Sequence, residues 1–345
     1  MEKYGYSFSF GPWNIQPGAD PFGPPVRPAV EFEEKLRIAS EIGYDMIQFH
    51  DNEVVPNIDE ASPAEIRQQA REVRKLLDDY GLKANSIGPR LWEHPMGIDG
   101  SYTANDPAAF DYAIERTKKA IDIIFELGGD MLLLWYAREG TYLREAKDPV
   151  RAHHRILESI NIYLEYNKDL RVTIEPKPNE PMDQAYIPTI GHALAIGQQS
   201  DDPARCGVLV ESAHAVLAGL DPADEMAFAL SFGKLWGVHL NDQNGMKFDQ
   251  DRAFGTVNLR RAFDQVWVLD SNRFYELENC AIGVDTKALR TQSPETAAKH
   301  LRNSLNAFLR LVELVRSLDW DRVEELRRQR DYEELDWLIM THLMG

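Results

Sequence analysis

The chain has 345 residues, 43% of them hydrophobic, and its 56 acidic side chains against 38 basic ones give a net charge of −18. That length supports one large α/β barrel or two smaller domains. The charge repels phosphate backbones and argues against sequence-independent nucleic-acid binding, and no apolar run approaches the roughly 18 residues of a membrane span.

Two cysteines, Cys206 and Cys280, fall at predicted strands and suggest no disulfide framework. The first residues, Met1 to Tyr6, lack the basic start and apolar core of a secretion signal. A cytoplasmic protein with no membrane partner is expected.

Short β-type runs alternate with amphipathic segments along the chain. Tyr6–Phe10 precedes a helical pattern over Pro28–Ile42, and Met46–His50 precedes Pro63–Tyr80. Lys83–Ile87 and Pro107–Leu127 follow, then Met131–Trp135 and Val150–Asn167. The second half continues with Arg171–Ile174 and Thr189–Gln198, Gly207–Glu211 and Pro222–Ser231, and Leu235–Leu240 and Asn258–Val268. Cys280–Asp285 and a helix over Pro294–Leu318 complete the series. Ser62-Pro63 and Asp106-Pro107 are helix starts, while Gly43, Gly81 and Gly128-Gly129 stand where helices should stop.

About eight β–α repeats of roughly 40 residues predict an α/β fold, a (β/α)8 TIM barrel, over residues 1–318. An open doubly wound sheet is the runner-up, but its glycine-rich phosphate loop is absent. Residues 319–345 form a charged helical extension with an apolar end, Leu335 to Met340. It caps the barrel or packs on another subunit.

In such a barrel the site is built at the C-terminal ends of the strands. Those positions hold Trp13, His50, Trp135, Glu175 with Lys177, Glu211, His239 and Asp285. One charged strand end is ordinary and solvated; so many on one rim require cations. The fifth strand runs into Ile174-Glu-Pro-Lys-Pro-Asn-Glu-Pro181, where prolines stop the ladder and hold the charges in set directions. Val210-Glu211-Ser-Ala-His214 places a carboxylate and an imidazole three residues apart, and Phe248-Asp249-Gln-Asp251 places two carboxylates on one side of an extended segment. Each pattern alone is weak, and solvated loops are its plain explanation. Together, oxygen-rich donors with a minority of imidazole suit Mg²⁺, Mn²⁺ or Co²⁺ better than structural zinc. Trp13, Trp92 and Trp135 would wall off water and stack on a sugar, although core packing is the commoner role of tryptophan.

With these residues in view, the sequence resembles the xylose isomerase family, metal-dependent aldose–ketose isomerases, and its shorter, actinobacterial-type group most closely. The likeness runs from about Tyr6 to Thr291 and is carried by Phe10-Gly-Pro-Trp13, Asp20-Pro-Phe-Gly23, Phe49-His50-Asp51, Thr103-Ala-Asn-Asp106, Arg138-Glu-Gly140, the octapeptide at Ile174 and Phe248–Asp251. The resemblance implies that Glu211 bridges two divalent ions. Glu175 and Asp285 would complete the first site, and His214, Asp249 and Asp251 the second. Lys177 would contact the substrate carbonyl oxygen, and His50 would assist ring opening. Trp13 and Trp135 match pocket aromatics, Phe22 matches one supplied by a neighbouring subunit, and Asn241 lies by the pocket. The implied reaction is ring opening followed by a metal-assisted hydride shift between C2 and C1. A homo-oligomer, dimer or tetramer, is implied with it.

Three departures stand out. His239, in Gly237-Val-His-Leu-Asn241, replaces the carboxylate that normally completes the first site, which leaves that site one unit more positive and tilts preference towards Mn²⁺ or Co²⁺. It also resembles the metal sites of L-rhamnose isomerase and ketose 3-epimerases. Glu53 stands for the aspartate that orients His50, and Ala215 for a glutamate after His214. The expected function is therefore isomerisation of a free, D-xylose-like sugar. Alternatives are an epimerase or an isomerase of another aldose, a non-catalytic sugar-binding or complex subunit, and a nucleic-acid enzyme of the endonuclease IV sort.

Overall fold

The computed structural model describes residues 2–20, 22–246 and 248–345, so Pro21 of the Asp20–Gly23 motif lies outside the described residues. Eight strands close a barrel in chain order: Phe8–Phe10, Met46–His50, Lys83–Gly88, Met131–Trp135, Arg171–Glu175, Cys206–Glu211, Leu235–Leu240 and Ile282–Val284. Every neighbouring pair in it is parallel, and the ring closes where Phe8 meets Ile282 and Ser9 meets Gly283. Parallel strands need crossovers, and the predicted amphipathic segments supply them, turning apolar stripes such as Ile66, Ala70 and Leu77 onto the barrel.

The helix signals act as read. Ser62 accepts from the Glu65 amide while the Glu65 carboxylate accepts from the Ser62 amide, a reciprocal cap. Gly43, Gly81 and Gly128 take the left-handed backbone that ends a helix at little cost. Helices over Pro63–Tyr80, Pro107–Leu127 and Pro222–Ser231 keep the predicted limits.

Four local expectations need correction. The first helix spans Phe32–Ile42, because the residues before it are pinned elsewhere: Arg27 donates to the carbonyls of Leu289, Arg290 and Gln292. The last strand is only Ile282–Val284, since Asn279 adopts a left-handed backbone just upstream, and Cys280 lies outside it. The segment Pro294–Leu318 divides into a 3-10 turn, Pro294–Thr296, and a helix, Lys299–Ser317. Two short helices, Asp51–Val54 and Ser212–Leu217, start straight from strand ends and are too short to show a period in sequence.

The extension forms helices Trp320–Gln329 and Tyr332–Met344 on the flank of its own barrel. Trp320 stacks on Trp267 with ring centroids 5.6 Å apart, and Arg260 pairs with Asp336 at 3.0 Å. Among the described residues no helix is long and apolar enough to cross a membrane.

Candidate metal centre and sugar pocket

The C-terminal strand ends surround a cavity of about 760 Å³, within the usual size of small-ligand sites. Beside it, the loops after the fourth and fifth strands are clamped by a two-residue antiparallel pairing, Gly140–Thr141 against Gln184–Ala185. A Cβ at Gly140 would stand 2.4 Å from the Gln184 carbonyl oxygen, so this clamp needs glycine.

Glu211 is the hub of the floor. Its carboxylate belongs to three groups of potential ligands, each with atoms within 4.8 Å of one another: Glu175–Glu211–His214, Glu211–His239–Asp285 and Glu211–Asp249–Asp251. His214 Nε2 lies 3.2 Å from Glu211 and 3.1 Å from Asp249, and its Nδ1 lies 3.5 Å from Glu175. His239 Nδ1 stands 3.5 Å from an oxygen of each of Glu175 and Glu211. All seven residues expected to hold metal thus converge at one end of the barrel.

Among the described residues, two lysines pair directly with this acidic floor. Five carboxylates face Lys177, 3.0 Å from Asp249, and Lys287, 2.6 Å from Asp251. Burial, then the negative charge of Asp249, Asp285, Glu175 and Asp251, pushes the Glu211 carboxyl well up. Burial and Asp249 push Asp251 well up despite Lys287, and burial raises Asp285 although His239 opposes it. Two carboxyls go the other way. Burial would raise Glu175, but His239 and His214 hold it low, and Lys177 with His214 overcome burial to hold Asp249 well down. Burial would lower Lys177, yet Asp249 and Glu180 keep it firmly protonated.

Among the described residues, several buried polar atoms here find no hydrogen-bond partner: Glu211 Oε2, His214 Nδ1, His239 Nδ1 and Asp249 Oδ1. Unpaired buried donors and acceptors are costly, and a cluster of them on one floor suits the ligands of a cation. The donor set therefore fits divalent ions.

Above the floor, Trp13, His50, Trp92 and Trp135 form a continuous wall, with successive ring centroids 4.5, 5.1 and 4.6 Å apart. Trp13 also donates from Nε1 to Asp285 at 2.9 Å, and the Lys177 ammonium sits 5.4 Å from the Trp135 ring. The octapeptide loop turns back so that Glu180 accepts from the Asp249 amide at 2.9 Å and lies 3.4 Å from Lys177. Fifth-strand and seventh-strand loops are thereby tied across the site.

Two expected site residues sit otherwise than the sequence suggested. Asn241 is buried beneath the pocket, donating to Glu211, Asp251 and the Asp285 carbonyl, so it braces the carboxylates and does not line the cavity. Glu53 accepts from the His50 amide at 2.7 Å, and its oxygen stays 3.6 Å from His50 Nδ1, beyond hydrogen-bond reach. The extra methylene lets it fold back as a helix cap. Phe22 is 80% exposed beside Phe248, with ring centroids 6.0 Å apart, and does not line its own chain's cavity.

The family model described as the xylose isomerase-like TIM barrel matches residues 36–315. The chain belongs to this family. A xylose isomerase from Thermus thermophilus is 32% identical over 335 residues, covering 96% of this chain and 83% of that protein. Two solved structures share the fold at low identity. A 3-keto-D-glucoside 4-epimerase from E. coli superposes with a TM-score of 0.62 at 16% identity, covering 88% of this chain and 99% of that one. A D-psicose 3-epimerase gives 0.60 at 13%, covering 88% and 97%.

In this member of the xylose isomerase-like barrels, sequence reasoning missed Lys287 and Gln48. Both had a usable signal. Lys287 is two residues beyond Asp285 and Gln48 two before His50, and alternate residues of an extended segment share a face. Gln48 lies with its carbonyl oxygen 2.5 Å from His239 Nε2.

Proposed function

We propose that the protein is a divalent-metal-dependent isomerase of a free aldose, D-xylose-like in the first instance, interconverting aldose and ketose by a hydride shift between C2 and C1. The observation that supports this best is the Glu211 carboxylate shared by three ligand groups, next to a buried lysine and under an aromatic wall. Glu175, Glu211, His239 and Asp285 would hold one ion, and Glu211, His214, Asp249 and Asp251 the other. When bound, Mg²⁺, Mn²⁺ or Co²⁺ would hold adjacent sugar oxygens and polarise the carbonyl.

The chain's own groups have separable roles in this reading. His50 takes the proton from the anomeric oxygen O1, and ring oxygen O5 regains a proton as the C1–O5 bond breaks. Lys177, kept protonated by Asp249 and Glu180, donates to the oxygen on which negative charge develops. Trp13, Trp92 and Trp135 pack on the apolar side of the sugar and exclude water, so that hydrogen moves between carbons without loss to solvent. A homo-oligomer belongs to the same reading, with exposed Phe22 supplied to a neighbouring subunit's pocket.

A second reading, an epimerase that removes and returns a proton beside a carbonyl, is favoured by His239 among the metal carboxylates. One experiment separates the two. A panel of aldoses and ketoses is incubated with the protein and Mn²⁺, Mg²⁺ or Co²⁺ in deuterated water and followed by NMR. Aldose–ketose conversion without deuterium at C1 or C2 is the expected result. Deuterium at an inverted carbon would establish the epimerase, and no turnover of any sugar with any ion would sink both.

A further inference from the structure

We propose that Gln48 is the positioning residue for His239: its side-chain carbonyl accepts the Nε2 proton and keeps the Nδ1 lone pair aimed at the acidic floor. This rests on the metal-site reading given above. A carboxylate at position 239 would need no such partner, whereas a histidine presents a donor or a lone pair at each nitrogen according to its tautomer.

Four strands build the device at one level of the barrel interior. Ser9 on the first strand pairs in register with Gly283 on the last, and Gly283 pairs with His239 on the seventh. Gln48, on the second strand, reaches into this layer. Its Nε2 donates to Ser9 Oγ at 2.8 Å, and its Oε1 meets His239 Nε2 at 2.5 Å. Ser9, Gln48 and His239 are all buried, so no water competes for these contacts. The layer also depends on Gly283. A Cβ there would come within 2.6 Å of Gln48 Nε2 and 3.0 Å of His239 Cδ2. A bare glycine leaves room for the amide and the imidazole to meet.

The chemistry at the far side of the ring decides which end of the amide faces His239. Nδ1 lies 3.5 Å from Glu175 Oε2 and 3.5 Å from Glu211 Oε2, too far to be a good donor to either, and among the described residues it has no hydrogen-bond partner. A cation shared with those oxygens needs a lone pair on Nδ1, so the ring proton must sit on Nε2. Only the amide carbonyl can receive it. Ser9 Oγ accepts from the amide Nε2, which fits this orientation.

Tests use the full chain. Gln48→Met keeps the volume and removes the acceptor. Co²⁺ titration by calorimetry and visible absorption should show affinity at one site falling roughly 10–100-fold, with a changed ligand-field spectrum, while the other site is unaltered. In a His239→Asp background, Gln48→Met should change Co²⁺ affinity less than about threefold, because a carboxylate has no tautomer to fix. In the Zn²⁺-loaded parent, ¹⁵N-histidine NMR should show His239 protonated at Nε2 and metal-bound at Nδ1, a readout that needs no variant to fold. Equal losses at both sites, the same loss in the His239→Asp background, or a proton on Nδ1 would each overturn the assignment to Gln48. A parent that binds no Co²⁺ at either site would instead overturn the metal-site reading beneath it, and this proposal with it.

Discussion

Glu211→Gln separates the role of the shared carboxylate from its packing. The substitution is nearly isosteric, and a glutamine oxygen can still accept from Asn241 Nδ2, now at 2.8 Å from Glu211 Oε1. What goes is one negative charge within 4.8 Å of other carboxylates. At an effective dielectric of about 20, two unit charges at that separation repel by about 3 kcal/mol per pair, a cost Glu211 relieves by taking up a proton. Burial and its acidic neighbours raise the folded-state pKa of Glu211. The folded state therefore binds the extra proton, and stability of the metal-free parent falls as pH rises above the ordinary glutamate range towards that raised value. The metal-free variant lacks this loss and should be at least as stable as the metal-free parent, by a margin that grows with pH.

With metal the order reverses. An ion present at about 100 times its dissociation constant stabilises by about 2.7 kcal/mol per site. For 345 residues that is about 4 °C in Tm per site, or about 8 °C for two. The parent should show that shift with Mn²⁺, and Glu211→Gln should lose most of it, because both sites share the carboxylate. Scanning calorimetry with and without Mn²⁺, alongside elemental analysis, reads both effects. If the variant keeps the parent's stoichiometry and full Mn²⁺ shift, or if the metal-free variant is several kcal/mol less stable, the shared-carboxylate reasoning fails.

Lys177→Met should lower kcat roughly 10²–10³-fold while metal stoichiometry stays at the parent value, since the lysine acts on the substrate side of the site; activity within a few-fold of the parent would remove its proposed role. His300 is buried against Thr286 Oγ1 at 2.8 Å, and burial lowers its pKa to about 4 from the usual 6.5. The unfolded chain protonates it first, so its contribution is intact above about pH 6.5 and is lost as pH falls towards 4, a change on the order of 3 kcal/mol. Urea unfolding at pH 7 and pH 4 should show that His300→Gln, which does not titrate, flattens the decline; equal slopes in both proteins would refute it.

The barrel was readable because its signals are local. Pro63–Tyr80 shows its cap, its apolar stripe and its terminal glycine within one stretch, and the structure keeps its limits. Strand ends were readable for a similar reason: an apolar run that stops at Glu175 or Glu211 announces where the backbone leaves the core. Short elements escaped, since Asp51–Val54 and Ser212–Leu217 are under two turns long and cannot display a helical period. Asn241 was correctly placed near the site but misread in role, because sequence does not say whether a polar side chain faces the cavity or the floor beneath it.

By itself, then, the sequence determined the alternation of strands and helices and which ionisable residues stand at strand ends, since both follow from periodicity and from where charge interrupts apolar runs. It also carried the likeness to the xylose isomerases in the motifs around Trp13, His50 and Ile174–Pro181. Only the tertiary structure decided that Glu53 turns back to cap His50 and that Gln48 meets His239 across 191 positions of chain. The physical reason is closure of the barrel. Strands far apart in sequence become neighbours around a ring, and which nitrogen of a histidine faces a carboxylate is fixed by angles and distances across that ring.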